Sequence, residues 1–163
     1  VEGAENAAET LPAEPADRVR AVLERIVNEL ELDADVVVSE SDGEISAEVE
    51  GEEVGLLIGR HGQTLDAVQL LCYQIAYRGH SDRKRVTVDA AGYRVRQGEE
   101  LRRRADLAAE DAIRDGRAIE LEPMGSNERR VVHEHLRERP EVETYSEGDE
   151  PHRCVVVAPL VTD

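Results

Sequence analysis

From Val19 onward an apolar residue recurs at three- and four-residue steps: Val19, Val22, Leu23, Ile26, Val27 and Leu30. That spacing gathers the side chains on one face and predicts an amphipathic helix. It opens at Pro15-Ala16-Asp17, with Asp17 placed as its cap, and ends near Leu32. Two strand patterns follow, Val36-Val37-Val38 and Ile45-Ser46-Ala47-Glu48-Val49, joined across the short polar turn Ser41-Asp42-Gly43 as a hairpin. A short apolar segment, Val54-Gly55-Leu56-Leu57-Ile58, stops at Gly59-Arg60-His61-Gly62. Helical spacing resumes at Leu65, Val68, Gln69, Leu71, Cys72, Ile75 and Ala76, and Gly79 halts it after Tyr77. Arg85-Val86-Thr87-Val88-Asp89 alternates as a strand. The predicted order of the first half is helix, strand, strand, short helix, helix, strand.

The second half begins with a long Arg- and Glu-rich helical pattern from about Gly92 to Arg114, with Tyr93, Leu101, Ala105, Ala108 and Ala112 along one face. Asp115-Gly116 ends it. Ala118-Ile119-Glu120-Leu121 is a brief strand before Pro123, and Ser126 opens another helix carrying Val131, Val132 and Leu136. Val142-Glu143-Thr144-Tyr145 and Cys154-Val155-Val156-Val157 are the last two strands, linked by the turn-rich stretch 146–151. Residues 1–15, rich in Glu, Ala and Pro, lack the apolar side chains to offset ordering and read as a disordered acidic tail. No repeat links the halves, and the boundary falls near Ala90–Gly92.

Composition adds a constraint. The chain has 163 residues, no Phe or Trp and four Tyr, so any core is built from Val, Leu, Ile and Ala. No apolar run is long enough for a membrane helix, and the N-terminus lacks the basic start and apolar stretch of a signal peptide, so membrane insertion is not expected and the cytoplasm is. Cys72 and Cys154 lie far apart without metal-ligand spacing, and both are expected to be reduced, buried small hydrophobes. The net charge is −17, but it is unevenly spread. Residues 1–53 carry 17 acids and 3 bases, 54–137 carry 13 and 15, and 138–163 carry 7 and 2. A polyanion would therefore meet its cations only in the middle of the chain, by local and salt-sensitive contacts.

Gly59-Arg60-His61-Gly62 carries the chemistry of the first half. Glycines at both ends leave no side chain to block a sugar-phosphate backbone, and the amides of the following helix point at a phosphate. In this reading Arg60 and His61 are exposed, one as a cation and the other as a donor or stacking surface. A G-x-x-G by itself is equally an ordinary corner between helices. In the second half Arg129 and His133 lie four apart on a predicted helix and share a face, which is read as exposed. The alternatives are that His133 satisfies a local hydrogen bond and that Arg129 pairs with Glu128 or Glu134.

Taken with its flanks, Val54 to Gln69 in the order helix, strand, strand, helix, helix, strand resembles a bacterial type II KH domain over residues 16–91. The resemblance implies an RNA-binding loop and groove of Ile58, Gly59, Arg60, His61, Gly62 and Gln63. It also implies an aliphatic floor including Leu57, Ile58 and the Val86–Val88 strand, where about four unpaired nucleotides sit. Pro123-Met124, Glu128-Arg129-Arg130-Val131-Val132-His133, Ser146-Glu147-Gly148 and Pro151-His152-Arg153 together resemble an R-three-H domain over residues 92–161, a small three-stranded sheet packed with helices. That resemblance implies nucleic-acid contacts by Arg129, Arg130 and His133. The expected fold class is α+β in two small domains.

A KH domain followed closely by an R-three-H domain resembles the Jag family, also called KhpB or SpoIIIJ-associated proteins. The resemblance implies a single-stranded RNA-binding regulator or RNA chaperone linked to cell elongation and envelope growth, with single-stranded DNA as an alternative ligand. It also implies a small single-KH-domain protein as a partner. Longer family members carry a further N-terminal domain and linker, whereas only the acidic tail is expected ahead of the KH domain here. A competing expectation is a protein–protein adaptor that pairs through its KH surface, with RNA incidental. Catalysis, a metal and a cofactor are not expected: His133-Glu134-His135 places its histidines two apart rather than four, and neither a phosphate-binding loop of the ATPase type nor a nucleophile elbow occurs.

Overall fold

The structure, a computed structural model, describes residues 12–160. It divides into two compact units, one running up to Gly59 and over Thr64–Ala91, the other comprising Arg60–Gln63 and the chain from Gly92 on. Two consecutive left-handed residues, Ala91 at φ 48° and Gly92 at φ 65°, mark the main break.

In the first unit, helix α1 (Pro15–Glu29) buries Val19, Leu23 and Val27. Strands β1 (Ala34–Glu40) and β2 (Glu44–Gly51) form an antiparallel hairpin closed by the amide of Ser41 donating to the carbonyl of Glu44. The short helix α2 (Gly55–Ile58), a 3-10 turn over Arg60–Gly62 and helix α3 (Gln63–Ala76) lead to β3 (Arg85–Ala90), which pairs parallel to β2. The sheet order is therefore β1-β2-β3. Alternation along β2 and β3 sends Ile45, Ala47, Val49, Val86, Val88 and Ala90 into the core beside Leu57, Leu65, Val68, Cys72 and Ala76. Arg18 ties the start of α1 to the end of α3, its guanidinium donating to the carbonyls of Ile75, Ala76 and Arg78 at 3.4, 3.3 and 2.9 Å. Ile75 and Ala76 lie in the last turn of α3, whose carbonyls a helix end leaves without intrahelical partners, and Arg78 lies just beyond it.

In the second unit, α4 (Tyr93–Asp115) and α5 (Ser126–Leu136) pack on a sheet of order β4-β6-β5, with β4 Ile119–Glu120, β5 Val142–Glu147 and β6 Cys154–Pro159. Both strand pairs are antiparallel. Leu101, Ala105, Ala108 and Ala109 of α4 meet Val132 and Leu136 of α5 and Val142, Val155 and Val157 of the sheet. Among the described residues no helix is long and apolar enough to cross a membrane.

Three expectations change. Asp17 lies within the first turn of α1 and is not its cap; the cap position is Glu14, with Pro15 in the first turn, where its missing N–H costs nothing. Of the expected tail, residues 1–11 lie outside the described residues, and Pro15 is already helical. Cys154 is only half-buried at the start of β6, whereas Cys72 is fully buried and burial raises its thiol to about 12.

The helix α1 face yields a direct test. Leu23 is fully buried whereas Glu24 beside it is exposed. Leu23→Ala is expected to lower the unfolding free energy by about 2–5 kcal/mol in urea titrations, and Glu24→Ala to stay within about 0.5 kcal/mol.

Candidate nucleic-acid interface

In the loop between α2 and α3, Gly59 stands at φ 71°, His61 at φ 52° and Gly62 at φ 73°. The glycines adopt this left-handed region freely, whereas His61 carries the strain of a side chain there. A Cβ on Gly59 would run into the side chain of Thr64, so glycine is required for space as well as for φ. The loop closes α2 by a hydrogen bond from the amide N–H of Gly59 to the carbonyl of Gly55, 2.9 Å, and then delivers the chain to the first residue of α3, Gln63. The loop thus adjoins the start of α3, and a helix start, whose first amides lack partners four residues earlier in the helix, favours an anion.

The predicted loop residues are not equally accessible. Arg60 and Gln63 are exposed, Ile58, Gly59 and His61 are half-buried, and Gly62 is buried. His61 is thus less open than the sequence suggests. The predicted aliphatic floor divides as well: Leu57, Val86 and Val88 are buried in the core. Alternation turns Thr87 to the opposite sheet face, leaving Ile58 as the partly accessible member.

On α5, Arg129 and His133 share a face, as their spacing predicts, but it is the inner face. Arg129 is only 9% exposed, which corrects the expectation of an exposed residue. One guanidinium nitrogen donates to the carbonyl of Met124 at 2.7 Å, and another meets the carboxylate of Glu150 at 2.7 Å. Arg129 therefore pairs with neither Glu128 nor Glu134. Glu128 accepts from the amide of Gly125 at 3.0 Å and from the side-chain amide of Gln97 at 2.7 Å, tying the start of α5 to α4. Glu134 is taken by Arg130 at 2.7 Å, on the exposed side of the helix. The predicted trio is therefore split, with Arg129 and His133 facing inward and Arg130 facing solvent.

His133 is held at both ring nitrogens, Nδ1 by the hydroxyl of Thr144 at 2.7 Å and Nε2 by that of Ser146 at 2.9 Å. The two hydroxyls stand two apart on β5 and so project from the same side of the strand. Burial, and next the positive charge of Arg129, hold the imidazole below its ordinary value of 6.5. Thr144, Ser146 and Glu150 were not picked out as site residues from the sequence. Ser146 belongs to the Ser146-Glu147-Gly148 stretch that resembles the R-three-H domain, but the sequence places it in a turn, whereas β5 runs on to Glu147 and so sets it two residues from Thr144 under α5.

Two consequences are measurable. Arg129→Ala leaves the Met124 carbonyl unpaired and is expected to cost about 1–3 kcal/mol of stability in urea or thermal unfolding. The Glu150 pair adds little to that figure, since the glutamate side is 60% exposed. For His133 the folded chain binds its proton at lower pH than the unfolded chain. Its contribution is therefore intact above pH about 6.5 and declines as the pH falls below that value. The loss of stability between pH 7.5 and 5.0 should accordingly be smaller in His133→Gln than in the parent, as read from paired denaturant titrations.

The comparisons with known proteins follow the same division. The family described as "KhpA/KhpB, KH domain" matches residues 16–89, and the R-three-H domain family matches residues 99–159. The chain is 35% identical over 144 residues to a Clostridium symbiosum protein named RNA-binding protein KhpB, covering 87% of this chain and 65% of that one. A Bacillus subtilis protein of the same name is 33% identical over 147 residues, covering 89% of this chain and 71% of its own. One from Lactiplantibacillus plantarum is 36% identical over 133 residues, with 82% and 41% covered. The chain thus spans from about two fifths to about seven tenths of these relatives. Matched in both halves and in their order, the chain belongs to the KhpB family of proteins with a KH domain followed by an R-three-H domain.

Proposed function

We propose that this protein binds single-stranded RNA, the phosphate backbone passing over the loop of Gly59, Arg60, His61 and Gly62, with Ile58 and Gln63 at its margins. The second contact lies on α5 at His133, with Arg129 held behind it and Arg130 on the neighbouring solvent side of the helix. The observation that carries the reading is the loop itself: two left-handed glycines bring the backbone to the N-terminal amides of a fourteen-residue helix beside an exposed arginine. That combination suits a phosphate without needing a deep pocket. The names of the relatives, RNA-binding protein KhpB, support the same ligand. Single-stranded DNA presents the same phosphates and is the alternative strand. A role as a cytoplasmic regulator or RNA chaperone in cell elongation and envelope growth is the wider function that fits the family.

A second reading, an adaptor that pairs with a small single-KH-domain protein, is favoured by Leu70 and Leu71. These lie 59% and 52% exposed on α3. Exposed aliphatic neighbours on one helix suit a protein contact better than a phosphate.

The test is Arg60→Asp with His61→Asp, which sets two acids against the phosphate path and keeps both glycines. Affinity for a short unstructured RNA is expected to fall at least about tenfold in fluorescence anisotropy, while the circular dichroism spectrum is unchanged. The parent should lose affinity with added salt at a slope of about −2 in log K against log salt, from roughly three phosphates neutralised. Unchanged RNA affinity in the variant, or a slope near zero, would leave the adaptor reading in its place.

A further inference from the structure

We infer that Thr144 and Ser146 are positioning residues that fix His133 edge-on to β5, so that the imidazole meets a nucleobase through its ring face and offers neither nitrogen to phosphate. This rests on the proposed single-strand binding and assigns the contact class at its second surface.

The geometry begins with the strand. Residues two apart on β5 are separated by roughly 6.6 Å, and the two ring nitrogens of an imidazole fit between hydroxyls at that spacing. Nδ1 meets Thr144 at 2.7 Å and Nε2 meets Ser146 at 2.9 Å, so the edge carrying both nitrogens is turned toward the strand. Each hydroxyl can donate or accept, and either neutral tautomer therefore completes the Thr144–His133–Ser146 chain. Thr144 and Ser146 are half-buried, which shields these bonds from water. His133 is itself half-buried, and both of its nitrogens are already taken by β5, which leaves the faces of the ring as the part through which a further contact can be made.

The charges around the ring favour the same contact. Arg129, one turn earlier on α5, is the nearest cation and is itself bound to Met124 and to Glu150 from the turn after β5. Glu143, Tyr145 and Glu147 alternate to the other side of β5, and Arg130 and Glu134 pair on the solvent side of α5. A phosphate seeking Arg129 has to displace a carboxylate at 2.7 Å, and one seeking His133 has to break a hydroxyl bond. A base stacking on the ring displaces neither. Base–aromatic stacking is worth enough to matter, about 1–3 kcal/mol per base by alanine substitution, and tolerates any base.

The experiment uses the full chain and two ten-nucleotide strands with equal numbers of phosphates, one ordinary RNA and one abasic at its central positions. His133→Ala is expected to weaken the ordinary strand about tenfold and the abasic strand less than about twofold. Thr144→Val with Ser146→Ala should weaken the ordinary strand in the same way, and Thr144→Ser with Ser146→Thr, which keeps both hydroxyls, should restore it. Equal losses on both strands, or a His133-dependent gain in affinity below pH 6, would make His133 a phosphate contact and overturn the inference. Loss with His133→Ala but none in the hydroxyl-free variant would overturn the positioning role alone. No loss with either would remove the second surface from the proposed function as well.

Discussion

Without Phe or Trp, both cores must be closed with Val, Leu, Ile and Ala, and everything else in the structure follows from how closely those small side chains let the backbone elements approach. Ala105, Ala108, Ala109 and Ala112 line the buried side of α4, where larger residues would hold the helix off the sheet. In the first unit the same economy is met by alternation, with Ile45, Ala47 and Val49 on β2 against Val86, Val88 and Ala90 on β3. Cores of this kind gain less apolar area per residue than aromatic ones, so polar ties at their margins matter more. Arg18 over the end of α3 and Glu128 over the start of α5 are such ties, each supplying partners to backbone groups that a helix terminus leaves unpaired.

This economy bears on the candidate interface. Arg129 is one more of these marginal ties rather than a free cation, packed against the carbonyl of Met124 and closed off by Glu150. Several other arginines of the second unit are likewise spent on local acids: Arg130 on Glu134, Arg104 on Glu100 and Glu122, Arg114 on Asp111 and Asp115. These exposed pairs add little stability, but they lower the density of cation available to a polyanion. The charge of −17 thus reaches into the basic middle of the chain, and Arg60 gains weight as an exposed cation beside a helix N-terminus. Recognition in such a setting depends on shape, glycine geometry and stacking more than on accumulated positive charge.

The element order was legible in the sequence because each element carries its own period. Three- and four-residue steps from Val19 to Leu30 became α1, and the alternation from Ile45 to Val49 became β2. The glycine loop was legible for a similarly local reason, two glycines three apart between helical segments, whereas the left-handed turn of His61 between them carries no sequence signal. Asp17 is not the cap because Pro15 is itself a good first residue for a helix, which sets the cap three residues earlier, at Glu14. Helix periodicity also placed Arg129 and His133 on one face, but nothing in a spacing of four says which way that face points.

That direction is where local information ended. The sequence by itself determined the aliphatic cores, the order of helices and strands, the glycine-bounded loop between two helices and the pairing of Arg129 with His133 on a common helix face. These depend on residues at most a few positions apart, so short-range sterics and periodicity suffice. Only the tertiary structure decided that this face lies over β5, that Thr144 and Ser146 hold both nitrogens of His133, and that Glu150, twenty-one residues further along the chain, covers Arg129. Those contacts require α5 and the β5–β6 hairpin to be docked on the same core. A hydrogen bond between residues brought together by docking leaves no periodic trace in the chain that makes it.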